Sequence, residues 1–475
     1  MTEHMPSVQS DGSKKEQSQE ALEKKSASND AQTPVFRVFV VTWNVCGQLV
    51  PAEGVDFAQL LRCSPDHVPY DIIALGLQEA PSSPGRWLLD SFRQDDPWTA
   101  ALREWLVPRG FLQITCSYES HPKLLGIALA VFIDRCWTLQ IERVHTSFHR
   151  MALGGLAGNK GAVCMRVRVC GRDLVLINSH FAAHQDNYQQ RIAQCQQVIE
   201  SLKFGSDESL KHDYVLWFGD MNFRVEDVNS AVALHHIHSA QTGGMEELRI
   251  RDQLIKARAD QLAFPDFHEG LLSFPPTYKF GIGTSAYDLK RVPSWTDRIL
   301  WRVRSDQEGA EGTRPALSCS LQQYTSVMDY TVSDHKPVVA LFNIQMGLSV
   351  SDLDRFVTFV FPGEKDCWLA GQSNVCQYSY RNEYKESMMD WIALYHSEGA
   401  WSSLADAVTW CYVLSSWEDP LSVHNLTFKA PYVPPAGTGP YRLGYYSRSH
   451  NCLLAMSNPF RIVSANVDWC KEATD

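Results

Sequence analysis

The chain has 475 residues, 44% of them hydrophobic, enough for a large core and more than one domain. Its 54 acidic against 43 basic residues give a formal charge of -11, which argues against affinity drawn from broad neutralisation of nucleic-acid phosphates. Thirteen cysteines without CxxC pairs argue against a zinc module or disulfide framework and for reduced thiols in a cytosolic protein, and no apolar stretch reaches the length of a membrane span.

Residues 1–33, rich in Ser, Gln, Lys and Glu, are too polar for a signal peptide and are expected to form a disordered tail. From residue 34 a pattern recurs: short apolar runs with β-branched and aromatic content, each abutting polar groups able to handle metal or phosphate. Phe36 to Trp43 leads into Asn44, and Asp71 to Leu77 leads into Gln78 and Glu79. Asp96-Pro97 reads as a capped helix start. Leu124 to Ile133 reads as a core strand. Leu174 to Ile177 leads into Asn178, Ser179 and His180. Ile192, Cys195, Val198, Ile199 and Leu202 recur at helical spacing, as in a helix packed on a sheet. Tyr214 to Phe218 leads into Asp220 and Asn222, which alternation along an extended chain sets on one side. Asp297 precedes Ile299-Leu300-Trp301, and Ser333-Asp334-His335 precedes Val338 to Ile344.

Taken alone, Gly219-Asp220-Met221-Asn222 reads equally as a turn. The recurrence of the layout outweighs that reading. Near-continuous apolar runs mark strands buried on both faces. If all the polar clusters meet at one edge, the last two strands run opposite to the first four, which predicts an α/β sandwich of mixed sheets. Beyond residue 350 the texture changes to short alternating segments, namely Arg355–Phe361, Val375–Tyr380, Ala407–Leu414, Leu426–Lys429, Tyr441–Ser447, Leu453–Met456 and Phe460–Val463. They predict an all-β, immunoglobulin-like sandwich of about seven strands over 350–465, its core taking most of Trp368, Trp391, Trp401, Trp410 and Trp417, with a tail at 466–475.

The motifs Val40–Val45 (VVTWNV), Gly76–Glu79 (GLQE), Gly158–Gly161 (GNKG), Asn178–His184 (NSHFAAH), Trp217–Arg224 (WFGDMNFR), Pro275–Lys279 (PPTYK), Arg291–Leu300 (RVPSWTDRIL) and Ser333–Val338 (SDHKPV) resemble, in order across 34–347, the signature set of the inositol polyphosphate 5-phosphatases. Trp391–Tyr395, Tyr445–Ser447 and Ser457–Ile462 resemble a SKICH domain. The resemblance implies a DNase I-like fold and Mg²⁺-dependent hydrolysis of the 5-phosphate of phosphoinositides and soluble inositol polyphosphates. Asn44 and Glu79 offer the hard oxygen ligands Mg²⁺ prefers. Asp220 is expected to orient or deprotonate the water, with Asn222 holding the water or the phosphoryl group. His335 is expected to meet the scissile phosphate as imidazolium, oriented by Asp297 or Asp334. His180 is a second phosphate contact, while Asn178 and His184 fit structural roles equally well. Lys160 serves phosphate or a structural ion pair.

By the same resemblance Tyr278, Lys279, Lys290 and Arg291 grip a neighbouring phosphate. Leu289 stands where many relatives carry Lys, which leaves Lys290 to substitute or the grip weaker. A SKICH domain implies a protein partner and peripheral recruitment of a cytoplasmic, monomeric enzyme to plasma membrane or endoplasmic reticulum, where the lipids are. Two other functions share the residue pattern: a DNase I-like Mg²⁺-dependent nuclease, against which the acidic balance speaks, and a catalytically silent phosphoinositide-binding scaffold.

Overall fold

Strands that are apolar on both faces need covering on both sides, and the computed structural model shows how each face is covered. It describes residues 33–81, 96–114, 123–152, 157–201, 203–204, 207–208, 212–240, 243–305, 316–347, 356–362, 366–381, 384–397, 407–413 and 423–464. The expected tails, Thr33 excepted, lie outside these residues, as do Leu202, Trp401 and Trp417. In chain order the strands of the first part are β1 (Val35–Asn44), β2 (Ile72–Gln78), β3 (Phe111–Ile114), β4 (Lys123–Leu124), β5 (Ile127–Asp134), β6 (Ile141–Ala152), β7 (Ala157–Val169), β8 (Arg172–His180), β9 (Lys203–Phe204), β10 (Asp207–Glu208), β11 (Tyr214–Asp220), β12 (His268–Glu269), β13 (Asp297–Val303), β14 (Cys319–Ser326) and β15 (Val338–Gln345). One sheet runs β14-β15-β1-β2-β5-β3, with β4 on β5; the other runs β12-β13-β11-β8-β7-β6.

Alternation then sorts the side chains. Phe36, Val38 and Val40 of β1 and Leu174, Leu176, Leu216 and Phe218 of the second sheet fill the space between the sheets. Phe39, Val41 and Trp43 face outward onto Trp98, Leu102 and Leu106 of the helix Pro97–Leu106, whose start is capped by Asp96 as expected. Val175, Ile177, Val215 and Trp217 face outward onto Ile192, Cys195 and Val198 of the helix Tyr188–Ser201. Each such fully buried side chain stabilises the fold by about 1.5–3 kcal/mol relative to exposure. The result is a sandwich of two mixed sheets with helices outside.

Strand direction places the site. β1 and β2 are parallel, with Asn44 opposite Gln78, and β8 and β11 are parallel, with His180 opposite Asp220. β15 runs antiparallel to β1 and β13 antiparallel to β11, so that Asp297 sits opposite Asp220. The four strand ends and two strand starts therefore meet at one rim, as the sequence pattern requires. Just beneath it, Asn178 bridges the sheets: its Nδ2 donates to the carbonyls of Leu77 (3.0 Å) and Ala128 (2.7 Å), and its Oδ1 accepts from Gln78 Nε2 (2.6 Å). Gly76 makes room for this tie, since a Cβ there would lie 2.8 Å from the Asn178 side chain and 2.5 Å from the Phe218 ring. Of its two open roles, Asn178 takes the structural one.

The second part is all β and has nine strands among the described residues rather than about seven: β16 (Val357–Phe361), β17 (Cys367–Leu369), β18 (Asn374–Tyr380), β19 (Trp391–His396), β20 (Thr409–Tyr412), β21 (Val423–Phe428), β22 (Tyr441–Ser447), β23 (Cys452–Met456) and β24 (Arg461–Val463). They form the sheets β16-β18-β21 and β20-β19-β22-β23, and the parallel pair β17-β24. β17 is too short to show alternation, and β19 is apolar on both faces, so neither carries the half-buried pattern sought. Trp368 is core, but Trp410 is 52% exposed on β20, against expectation.

This part docks on the first. Val144 N–H donates to the His450 carbonyl (2.8 Å), Asn451 Nδ2 returns a bond to the Val144 carbonyl (3.2 Å), and Cys452 and Leu453 line a small gap with Leu112, Ile114, Ile141 and Val144. Leu453→Ser is expected to lower unfolding free energy in urea by about 2–4 kcal/mol. The turnover of folded protein should stay unchanged; a loss below about 1 kcal/mol would mean the seam carries little stability.

Candidate active site

Asp220, the last residue of β11, lies at the centre of the rim and is 1% exposed. Its Oδ2 accepts from Asn44 Nδ2 (3.0 Å) and lies 3.3 Å from His180 Nε2; its Oδ1 accepts from the Asn222 backbone N–H (3.1 Å). Burial pushes this carboxyl up, but the His180 hydrogen bond and the charges of His335 and Lys160 outweigh it and hold Asp220 well below the usual carboxylate range. It is therefore a fixed anion. His180 is buried, and burial together with the Lys160 ammonium against its ring pulls the imidazole down, against the pull of Asp220 and Glu79. Glu79, just past β2 with φ +49°, is open to solvent and stands 3.8 Å from His180 Nε2.

On the far side of Asp220 stands a His–Asp couple. His335 Nδ1 donates to Asp297 (2.9 Å to Oδ2, 3.1 Å to Oδ1), and Asp297 Oδ2 is further held by the hydroxyls of Thr277 (2.7 Å) and Thr296 (2.9 Å). Burial disfavours the His335 imidazolium, but Asp297 outweighs it and lifts the ring to about 9. Trp43 Nε1 bonds the His335 carbonyl (3.1 Å), and Ser333 Oγ ties His335 N–H to the Asn44 carbonyl, so the end of β1 fixes the ring's origin. The Tyr278 ring packs on His335 with centroids 4.4 Å apart, and the Arg224 guanidinium sits 4.5 Å over Tyr278.

Asp297, and not Asp334, bonds the His335 ring; Asp334 Oδ2 pairs with Lys279 Nζ at 3.2 Å. Asn222 does not continue β11: with φ +55° it turns away, and its amide is spent on the Phe181 carbonyl and on Arg224. Its backbone, rather than its side chain, serves Asp220. Lys160 meets His180. A cavity of about 80 Å³ beside the couple is lined by Ala183, His184, Gln185, Arg224, Tyr278, Arg291, Val292 and Ser294. Arg291 and Tyr278 both line this cavity. Lys290 lies exposed outside that lining, and its backbone N–H, bonded to Asp288 Oδ1 (3.1 Å), holds it in the local turn. His184 and Arg224 are wall residues. Arg224 went unassigned despite standing two residues past Asn222, a spacing that signals it only once the turn is known.

One test of a cation site is the donor set. Ligand atoms of Asp220, Asp297 and His335 lie within 4.8 Å of one another. An imidazolium clamped by Asp297 has no lone pair to offer, so this trio is better read as an anion beside an acid couple. Glu79, solvent-open, and the second lone pair of Asn44 Oδ1, whose first accepts Cys46 N–H (2.9 Å), fit a hard, partly hydrated divalent cation.

Residues 41–341 match the endonuclease/exonuclease/phosphatase family 2 and residues 359–462 match the SKICH domain. The two-sheet sandwich with this rim places the chain in the DNase I-like class. Phosphatidylinositol 4,5-bisphosphate 5-phosphatase A of Homo sapiens is 34% identical over 93% of this chain, which spans 43% of that protein's length. Inositol polyphosphate 5-phosphatase K of Mus musculus is 32% identical over 90% of this chain and 89% of its own. The crystal structure of the inositol polyphosphate 5-phosphatase domain of SPsynaptojanin, in complex with inositol (1,4)-bisphosphate and calcium ion, superposes with a TM-score of 0.55 at 28% identity, covering 70% of this chain and 91% of that one. The chain belongs to the inositol polyphosphate 5-phosphatase family.

Proposed function

We propose that the chain hydrolyses the 5-phosphate of phosphatidylinositol 4,5-bisphosphate and 3,4,5-trisphosphate, and of soluble inositol polyphosphates, with Mg²⁺ held by Glu79 and Asn44. The observation that carries this reading is the meeting of a fixed anion, Asp220, with a charged His335–Asp297 couple across one buried rim. When bound, the cation would neutralise phosphoryl charge and ease departure of the alkoxide. Asp220, held ionised by Asn44, Asn222 N–H and His180, accepts a hydrogen bond from the attacking water and aims it. His335 donates its free Nε2–H to a phosphoryl oxygen, where charge builds in the transition state, and Asp297 keeps the ring charged and oriented. Lys160 adds positive charge behind His180. Tyr278, Lys279 and Arg291 meet a second phosphate on the ring. Lys290 is kept as an outer contact for the membrane-borne headgroup.

Phosphate release is to be measured over these lipids and headgroups, with Mg²⁺ and with chelator, and supercoiled plasmid is to be incubated in parallel. Release confined to 5-phosphates and abolished by chelator supports the reading; nicking without release would favour a nuclease, and binding without release a scaffold. Glu79→Gln is expected to raise the Mg²⁺ concentration for half-maximal rate by about tenfold or more; an unchanged requirement would remove Glu79 from the cation site. For the second part we propose recruitment through a protein partner to plasma membrane or endoplasmic reticulum. No helix among the described residues is long and apolar enough to cross a membrane.

A further inference from the structure

Behind the cavity wall stands a group with no part in the reaction above. Arg191, near the start of the helix Tyr188–Ser201, is completely buried, and the bonds it makes among the described residues go to neutral acceptors. The charges of Asp220 and Glu226 favour it, but no carboxylate bonds it directly among the described residues; a guanidinium stripped of water in this way is costly, so such a residue persists where its geometry is needed. Burial, reinforced by the neighbouring Arg224, pulls it down to about 10, which leaves it charged near neutrality.

Its fork reaches one stretch of wall. Nη1 donates to the carbonyls of Ala182 (3.1 Å) and His184 (2.6 Å); Nη2 donates to the carbonyl of Gln185 (3.2 Å) and to Gln253 Oε1 (2.6 Å). Its Nε is buried and has no partner among the described residues. Ala183, His184 and Gln185 line the cavity, and Gln253 Oε1 also accepts the backbone N–H of Arg224 (2.9 Å), which lines it too. One buried cation thus links two separate segments of the wall. His184 adds a second observation: its backbone, at φ +71° and ψ 149°, occupies a region close to one open essentially only to glycine. A non-glycine residue stays there only if its surroundings hold it, and the short bond from Arg191 to its carbonyl does so. Gln194 Oε1, accepting Ala182 N–H at 2.8 Å, holds the neighbouring residue.

We propose that Arg191 is a positioning residue: through the carbonyls of Ala182, His184 and Gln185, and through Gln253, it fixes the wall on which His184, Arg224 and Arg291 meet a phosphate-bearing headgroup, and so governs KM more than kcat. The inference rests on reading this cavity as the headgroup site.

The test is steady-state hydrolysis of inositol 1,4,5-trisphosphate by the full chain at saturating Mg²⁺, with thermal melts of each variant. Arg191→Met is expected to raise KM about tenfold or more while kcat stays within about threefold. Arg191→Lys is expected to raise KM about threefold or more, because a point charge cannot hold several carbonyls as a planar fork does. If either Arg191 variant fails to fold, Gln253→Met decides, since it keeps Arg191 but frees Arg224 N–H and one arm of the fork; it is expected to melt somewhat lower, and a KM rise of about threefold in the folded protein supports the proposal. An unchanged KM in the folded variants, with wild type active, overturns this inference alone. A wild-type chain inert on every inositol phosphate overturns the reading of the site and this inference with it.

Discussion

Asp220→Asn is expected to lower phosphate release from inositol 1,4,5-trisphosphate by about 10³-fold or more while the chain stays folded. The change keeps the shape of the side chain and removes its charge. Three donors point at the native carboxylate, from Asn44, the Asn222 backbone and His180. An amide brings its own N–H groups against at least one of them, which costs about 1–3 kcal/mol out of a typical total of about 5–15. The rate falls much further, because a neutral amide neither draws the proton of the attacking water nor aligns its lone pair. pH offers a second check. The folded pKa of Asp220 is depressed, so its charge adds stability that is present above the ordinary aspartate range and is lost as pH falls through the folded value. The stability gap between Asp220→Asn and wild type should therefore narrow on acidification. Release within about tenfold of wild type, at matched folded fraction, would remove Asp220 from its role.

Why the rim was legible follows from burial on both faces. Such strands leave uninterrupted apolar runs, so the polar residues at their ends stand out, and the order of run and polar cluster already encodes strand direction. Asn44, Glu79, His180, Asp220, Asp297 and His335 all stand at or beside the ends of such runs. What was not legible depends on contacts between segments far apart in sequence. Adjacent to His335, Asp334 is as good a candidate as Asp297 until β13 is laid against β11; the structure spends Asp334 on Lys279. Alternation past Asp220 fails because Asn222 adopts φ +55°, a turn that its short amide stabilises by bonding Phe181 and Arg224. His184 reads as one more residue of a motif until its backbone conformation is seen. Arg191 carries no sequence signal of burial at all, since an arginine at the start of a polar helix is ordinarily solvated. In the second part, β17 has three residues, too few for a period to register.

The pH profile of Asp297→Asn tests the other half of the site. In wild type, His335 is lifted to about 9, the desolvation that opposes its charge being outweighed by Asp297. If His335 acts as imidazolium, the rate falls as pH rises through that value. An asparagine at 297 can keep one hydrogen bond to Nδ1 and those of Thr277 and Thr296, but it removes the charge while burial remains, so the ring loses its proton at lower pH. The alkaline limb is expected to move toward and past neutrality, and the rate at pH 8 to fall by about 10²-fold with a smaller loss at pH 6. Stability follows the same group with a definite sign. A raised folded pKa contributes stability that is full below the ordinary imidazole range near 6.5 and is lost as pH rises through about 9. Asp297→Asn should therefore lose most stability relative to wild type on the acidic side and least above 9, opposite to the trend for Asp220→Asn. Rate profiles measured alongside urea unfolding from pH 5.5 to 9.5 would show both trends. An alkaline limb that does not move in Asp297→Asn would mean that His335 is not the group whose proton the reaction needs, and the acid would then have to be sought at Lys160 or Lys279, the lysines beside the rim.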